Sequence, residues 1–441
     1  MVGGLWNLGK FWSDNGDKKV RQTRWYLLAL LAGVLLGLGG VWWYGWESLG
    51  WKHPWGEWFV NEKAGKMRVV GFLPTWMVGK TGDYCDKLTD VVYLGVEVNS
   101  KGEIVDNADW KKFNSSTYRE YANKLRKCGV REIVGIKQFD DEKLNELFSS
   151  QEAVTTLIEG IKRMEKEYGV MGVNVDFEFQ NNPLGVLSPE FVGFLGELKR
   201  AEIGEISVDV FANTLIKGET ERLKALLLSV DYVLVMAYDF SRPGGDLAGP
   251  VAPMEAEAGR RHIGEVYDKV VASQLDPKKI VMAYPLYGYE WKTVGEGFRS
   301  ETVAGWGQTA TIARVGKILQ DTRFKIYDLR FKNEAEATES AKLNNLEMRV
   351  EFDEQSASPW LTWREDVEKT ITQIVNKKRV KKQIMVPEYR QIYFEDERSL
   401  RYKIEMAENN QVLGVGFWAL GYEGEERWVW KMFDDLYKNE G

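Results

Sequence analysis

The chain of 441 residues contains only two histidines and two cysteines. Those shortages exclude much hydrolytic chemistry. A zinc hydrolase needs several nitrogen or sulfur ligands, and a Ser-His-Asp or Cys-His nucleophile needs a histidine base. His53 and His262 are too few for this, and His53 stands close to a long hydrophobic run. Cys85 and Cys128 lack metal-ligand spacing, so one disulfide and two structural thiols fit them about equally. Positive charge is also short: 59 Lys and Arg against 66 Asp and Glu leave a net charge of −7. A nucleic-acid surface needs basic patches, so no nucleic-acid partner is expected. Internal repeats, low-complexity tracts and a separate wall-binding module are not recognisable. Carboxylates are what remain for moving protons.

The long hydrophobic run is residues 25–46, which carry no charged side chain. As a helix it would span about 33 Å, enough for the core of a bilayer. Trp25 and Tyr26 at one end, and Trp42, Trp43, Tyr44 and Trp46 at the other, fit an interfacial aromatic belt. Lys10, Lys18, Lys19, Arg21 and Arg24 precede it, so the positive-inside rule puts residues 1–24 in the cytoplasm. Bulky residues at the far end make a poor cleavage site and favour an uncleaved anchor over a signal peptide. The expectation is a single-pass protein of the cytoplasmic membrane, held in the lipid bilayer through residues 25–46. Residues 47–66 then form a linker to a domain outside.

From residue 67 onward, strand-like runs alternate with helical ones, the pattern of a parallel sheet with crossover helices. Strands are predicted at 67–73, 90–98, 132–136, 172–179, 206–211, 232–238, 279–284 and 412–418. Helices are predicted at 121–128, 144–168, 189–201, 219–229 and 397–409, with Ser188 capping the third ahead of Pro189. Eight strands with intervening helices predict an α/β fold, a (β/α)8 TIM barrel, over residues 67–435. The last gap is too long for one helix. A small α+β insertion is expected there at about 292–395, with strand-like runs at 324–327, 348–352 and 360–363 and a helix near 364–377.

The fourth strand holds the most specific signal. Val173, Val175, Phe177 and Phe179 alternate with Asn174, Asp176 and Glu178. Side chains on a strand point alternately to opposite faces, so Asp176 and Glu178 share one face, roughly 6.6 Å apart along the chain. Two carboxylates that close cannot both ionise cheaply, and one pKa should rise. A protonated acid beside an ionised partner suits cleavage of a glycosidic bond. An aromatic content of 13% suits it too, since sugars present flat apolar faces.

This stretch resembles the active-site strand of glycoside hydrolase family 18, the chitinase-like family, whose pattern is Asp-Gly-x-Asp-x-Asp-x-Glu. Gly172, Asp176 and Glu178 match it. Met171 and Asn174 replace the first two aspartates, and the Asn variant resembles the subgroup of spore-cortex-lytic and peptidoglycan N-acetylglucosaminidases. Met236-Ala237-Tyr238-Asp239 is similar to the family's Met-x-Tyr-Asp element. Residues 284–291 resemble its Pro-x-Tyr-Gly-x-x-Trp element, and residues 414–421 its closing strand. Lys137-Gln138-Phe139 departs from the family's Ser-x-Gly-Gly.

The resemblance implies that Glu178 is the general acid and base, with Asp176 and Tyr238 holding the substrate's acetamido group. Asn174, Met236, Asp239, Tyr287 and Trp418 would bind substrate, with Asn174 also hydrogen-bonding Asp176 and Trp418 forming the floor. No metal or cofactor is implied. The expected partner is a polysaccharide or oligosaccharide containing N-acetylglucosamine, with peptidoglycan ahead of chitin-type chains. The alternative is a glycan-binding, lectin-like barrel that has lost turnover. Retention of both Asp176 and Glu178 argues against it.

Overall fold

The computed structural model describes residues 67–321, 324–328, 346–375 and 378–438. Seven strands come first: β1 (Arg68–Pro74), β2 (Asp90–Glu97), β3 (Arg131–Gln138), β4 (Gly172–Phe177), β5 (Glu205–Phe211), β6 (Tyr232–Met236) and β7 (Ile280–Pro285). The next six belong to an insertion: β8 (Tyr287–Thr293), β9 (Gln308–Thr311), β10 (Phe324–Asp328), β11 (Leu346–Asp353), β12 (Ser358–Val375) and β13 (Lys378–Tyr393). The last strand, β14 (Gly414–Trp418), returns to the first group. Strands β1 to β7 and β14 form a closed barrel in the order β1-β14-β7-β6-β5-β4-β3-β2. Each neighbouring pair is parallel, as at Val173↔Ile206 between β4 and β5.

Both faces of these strands are covered, so they read as nearly continuous apolar runs. Val69, Val91, Val134, Val173, Val208 and Val233 pack into the main core. Val70, Phe72, Val92, Ile133, Tyr232, Leu234 and Val281 form a separate cluster from the alternate positions. Helix ends follow local chemistry. Ser188 accepts from Phe191 N and caps Pro189–Arg200, with Pro189 in the first turn. The helix expected over 144–168 is two helices, Asp141–Ser149 and Gln151–Tyr168. Ser150 leaves helical geometry at φ −122° and caps the second by accepting from Ala153 N. Cys85 and Cys128 form a disulfide, with Cα atoms 5.6 Å apart.

The insertion is a six-stranded sheet, ordered β10-β11-β12-β13-β8-β9, with the helix Ile312–Leu319. Met348, Val350, Leu361, Trp363, Ile392 and Phe394 belong to its core. Lys403, on the barrel helix Glu397–Asn409, is fully buried and donates to Glu395 Oε2 at 2.9 Å and Ala357 O at 3.1 Å. The helix expected near 364–377 is absent among the described residues: β12 runs through to Val375. The sequence there alternates with period two, Val367, Lys369 and Ile371 against Glu368, Thr370 and Thr372. Its β-branched residues suit a pleated ribbon, and each meets a partner on β13, as in Val367↔Val386 and Ile371↔Lys382.

The membrane expectation is corrected. Among the described residues no helix is long and apolar enough to cross a membrane. Their longest helix, Gln151–Tyr168, is a shell helix whose outer side carries Glu159, Lys162, Arg163 and Lys166. The tail, anchor and linker expected at 1–66 lie outside the described residues. The cytoplasmic-membrane location and the lipid bilayer partner are withdrawn.

Candidate active site

The strand alternation sets the site. Val173, Val175 and Phe177 pack into the main core, leaving Asn174 and Asp176 to point the other way, into the barrel. On β5, Ile206, Val208 and Val210 do the same and turn Ser207 and Asp209 inward. Glu178 follows the last residue of β4, at the C-terminal end of the strands where barrel enzymes hold their chemistry. Its backbone N–H donates to Gln138 O at 3.0 Å. A cleft of about 690 Å³ opens there, with Asp176, Glu178, Met236, Tyr238, Asp239, Tyr287 and Trp418 on its wall.

Asn174 is not on that wall. Fully buried, it donates through Nδ2 to Asp209 Oδ1 at 2.9 Å and Ser207 Oγ at 3.2 Å. The expected bond to Asp176 is not formed, and register gives the reason. Asn174 stands opposite Ser207 across the β4–β5 pair, whereas Asp176 lies two residues along its own strand, roughly 6.6 Å away.

Three carboxyl groups therefore crowd one end of the barrel. Asp176 is 4% exposed, and its Oδ1 has no hydrogen-bond partner among the described residues. Burial pushes its pKa well up, and the charges of Asp209 and Glu178 add to this, against a smaller pull from Lys137. Asp209 is pushed up to about 8, by burial first and by Glu178, while the hydrogen bond from Asn174 opposes. Glu178 is raised by burial, with Asp239 adding to it, although Gln180 Nε2 donates to Glu178 Oε2 at 2.5 Å and pulls the other way. Two or more of these groups compete for negative charge, so one of them holds a proton where an isolated carboxylate would have lost it.

The aromatic groups complete the cleft. Burial and the nearby carboxylates raise the Tyr238 phenol well above its ordinary range and keep it a neutral donor. Its ring meets Tyr287 edge-on, with centroids 6.2 Å apart. Asp239 has φ +62°, a left-handed conformation that Asp tolerates better than most residues. It accepts from Tyr287 Oη at 2.6 Å and Tyr289 Oη at 2.8 Å. Trp418 lies against Phe72 and Trp76, with centroids 6.0 and 6.2 Å away.

Two of these residues escape the sequence reading. Asp209 has a signal, the polar pair Ser207 and Asp209 alternating with valines and Ile206 on the strand next to β4. Trp76 has none, since it sits in the short turn Thr75–Met77 beyond β1. At 50% exposure it offers an open aromatic face.

A parallel barrel thus gathers carboxyl groups and aromatic rings at the C-terminal ends of its strands. The family comparison gives the specific assignment: the profile of glycosyl hydrolases family 18 matches residues 68–423, and the chain belongs to that family. A class V chitinase of Arabidopsis thaliana is 25% identical over 35% of this chain and 46% of its own. The cortical fragment-lytic enzyme of Bacillus subtilis is 21% identical over 66% of this chain and 56% of its own. The chain thus spans about half the length of these curated relatives. The crystal structure of a family 18 chitinase from Cycas revoluta, in complex with (GlcNAc)3, shares the fold. Its TM-score is 0.63 at 16% identity, over 84% of this chain and 99% of that one.

Proposed function

We propose that the protein is a retaining hydrolase of glycans with β-linked N-acetylglucosamine, and that the substrate's own 2-acetamido group is the nucleophile. Family 18 enzymes are substrate-assisted exceptions to the two-carboxylate scheme. Glu178 gives its proton to the glycosidic oxygen as the C1–O bond breaks. The acetamido carbonyl oxygen closes on C1 and forms an oxazolinium ion. Asp176 accepts from the acetamido N–H and balances its growing positive charge, while the Tyr238 hydroxyl bonds the acetamido oxygen. Glu178, now a carboxylate, takes a proton from the water that opens the ring, and the β configuration returns. Met236, Asp239, Tyr287 and Trp418 shape the sugar's site, with Trp418 beneath it.

The observation carrying this reading is Asp176. It is a buried carboxyl group beside the candidate acid, with Oδ1 left without a partner among the described residues. Asn174 acts one step removed, by holding Asp209. The likeness to a cortical fragment-lytic enzyme is what puts peptidoglycan ahead of chitin-type oligosaccharides. Product analysis by proton NMR on both substrates tests the proposal. The first product should have the β configuration, and a GlcNAc-thiazoline should inhibit as a mimic of the oxazolinium ion. An inverted product, or a covalent adduct on Asp176 from a 2-fluoro sugar, would overturn the mechanism. Binding without any cleavage would leave a lectin-like barrel.

A further inference from the structure

The lining of the cleft is rich in arginine. Arg242, Arg260, Arg261 and Arg299 all line it, in a chain whose net charge is −7 and beside a strongly acidic centre. Arg261 is paired with Glu265 at 3.0 Å. Arg242 and Arg260 are exposed and have no ion-pair partner among the described residues. Lys137, the remaining cation of the cleft, is bound to Asp109 at 2.9 Å. The uncommitted charge therefore lies on the side built by the chain after β6 and the loop between β8 and β9.

Arg299 is the anchor of this wall. It is 8% exposed, and its Nε has no hydrogen-bond partner among the described residues. Its nearest carboxylate, on Asp353, is 3.8 Å from Nη2. Its backbone is held at φ +49° with the N–H donating to Tyr393 Oη at 2.9 Å, and its guanidinium lies 5.3 Å from the Phe298 ring. A buried N–H left unmet is costly, and with Asp353 as far as 3.8 Å away the Arg299 guanidinium is incompletely paired. Guanidinium groups match the planar, two-oxygen geometry of a carboxylate better than they match hydroxyls or amides.

We infer that Arg299, Arg242 and Arg260 form a subsite for a carboxylate carried by the glycan. The natural substrate is then an acidic N-acetylated polymer rather than a neutral one. This rests on the glycosidase reading above and narrows it. The carboxylate has two chemical sources: a 3-O-lactyl group on a sugar ring, or a peptide attached to that group.

The test compares full-length protein with the R242A/R260A double variant and with Arg299→Met. Four oligosaccharides of equal length are used: neutral N-acetylglucosamine chains, chains with free lactyl acids, the same chains with the lactyl groups amidated, and chains with peptides on amide-linked lactyl groups. The ratio of kcat/KM on acidic over neutral chains should fall roughly 10- to 100-fold in the variants, the range for a lost hydrogen bond between charged groups. The wild-type preference should weaken as salt rises. A preference that follows the free lactyl acid fixes that source, and one that follows only the peptide-bearing chains fixes the other. Equal losses on acidic and neutral chains, or no loss on acidic ones, overturn the inference. If no chain is hydrolysed, the glycosidase reading fails, but the subsite is still decided by binding to Glu178→Gln. Tighter binding of acidic than amidated chains supports it, and equal binding overturns it.

Discussion

The barrel carries buried carboxylates at both ends, and the two groups are treated in opposite ways. β5 contributes to each, Glu205 at its start and Asp209 four residues later. At the N-terminal ends, Asp90 and Glu205 are gripped by two arginines. Arg68 reaches Glu205 at 2.8 Å and Asp90 at 3.6 Å. Arg131 makes two hydrogen bonds of 3.1 Å to Glu205 and a further one to Asp90. Burial still pushes Asp90 up to about 7, against the pull of Arg68. At the C-terminal ends, Asp176, Glu178 and Asp209 are in no ion pair among the described residues; Asp176 alone is pulled down by Lys137, which is itself engaged by Asp109. Burial raises the carboxyl groups at both ends; arginines oppose the rise at the first end, and neighbouring carboxylates add to it at the second.

Glu178→Gln tests that contrast most sharply. It should lower kcat by about 10²–10⁴-fold, the usual weight of general acid–base catalysis, with little change in the unfolding midpoint. Retained activity on a GlcNAc oligosaccharide would end the assignment of the acid. Next in size is Arg131→Met at the opposite end, which leaves Asp90 and Glu205 short of a partner. Denaturant unfolding should show a loss of about 3–5 kcal/mol, with the pH–rate profile in place. A shifted profile would mean that the two ends are not independent.

Asp209 sharpens the comparison through pH. Its folded pKa, about 8, lies above the ordinary carboxylate value. The folded protein therefore keeps a proton that the unfolded chain releases, and this contribution is complete below about pH 4 and lost as pH rises to about 8. Asp209→Asn should flatten the fall in stability across that window. An unchanged slope in thermal melts taken between pH 4 and 8 would place the proton elsewhere. Trp76→Ala is expected to have the smallest effect, a few-fold rise in KM with kcat kept, since an exposed ring adds about 0.5–1.5 kcal/mol beyond burial. A fall in kcat instead would give Trp76 a part in positioning the reacting sugar.

Much of this was legible in the chain. Strand and helix runs predicted the barrel because parallel strands buried on both faces have a strong apolar signal. Asp176 and Glu178 were legible because period two assigns residues to faces without a structure. The partners of Asn174 are not legible, since its bonds cross to β5 and register between strands is not written in either strand. Asp209 went unread for the same reason: its importance comes from Asn174 and Asp176, not from its own neighbours in sequence. The stretch at 364–377 reads as helix because its charged residues hide the alternation of Val367, Ile371 and the threonines. Disulfide pairing of Cys85 with Cys128 depends on Cα atoms brought within 5.6 Å by the fold.

The β12–β13 hairpin has one more consequence. Its pairing to β11 stops at Trp363 and its pairing to β8 stops at Tyr389, so among the described residues it is an arm of two strands from Glu365↔Glu388 to Val375↔Lys378. Ile374 and Met385 on it are 76% and 61% exposed. Opposite rungs share a side, so removing two residues from each strand keeps Val367 and Val386 turned the same way, and removing one from each turns that side over. The arm is thus a ruler graduated in twos, which insertion or deletion can lengthen or shorten without touching a residue of the cleft.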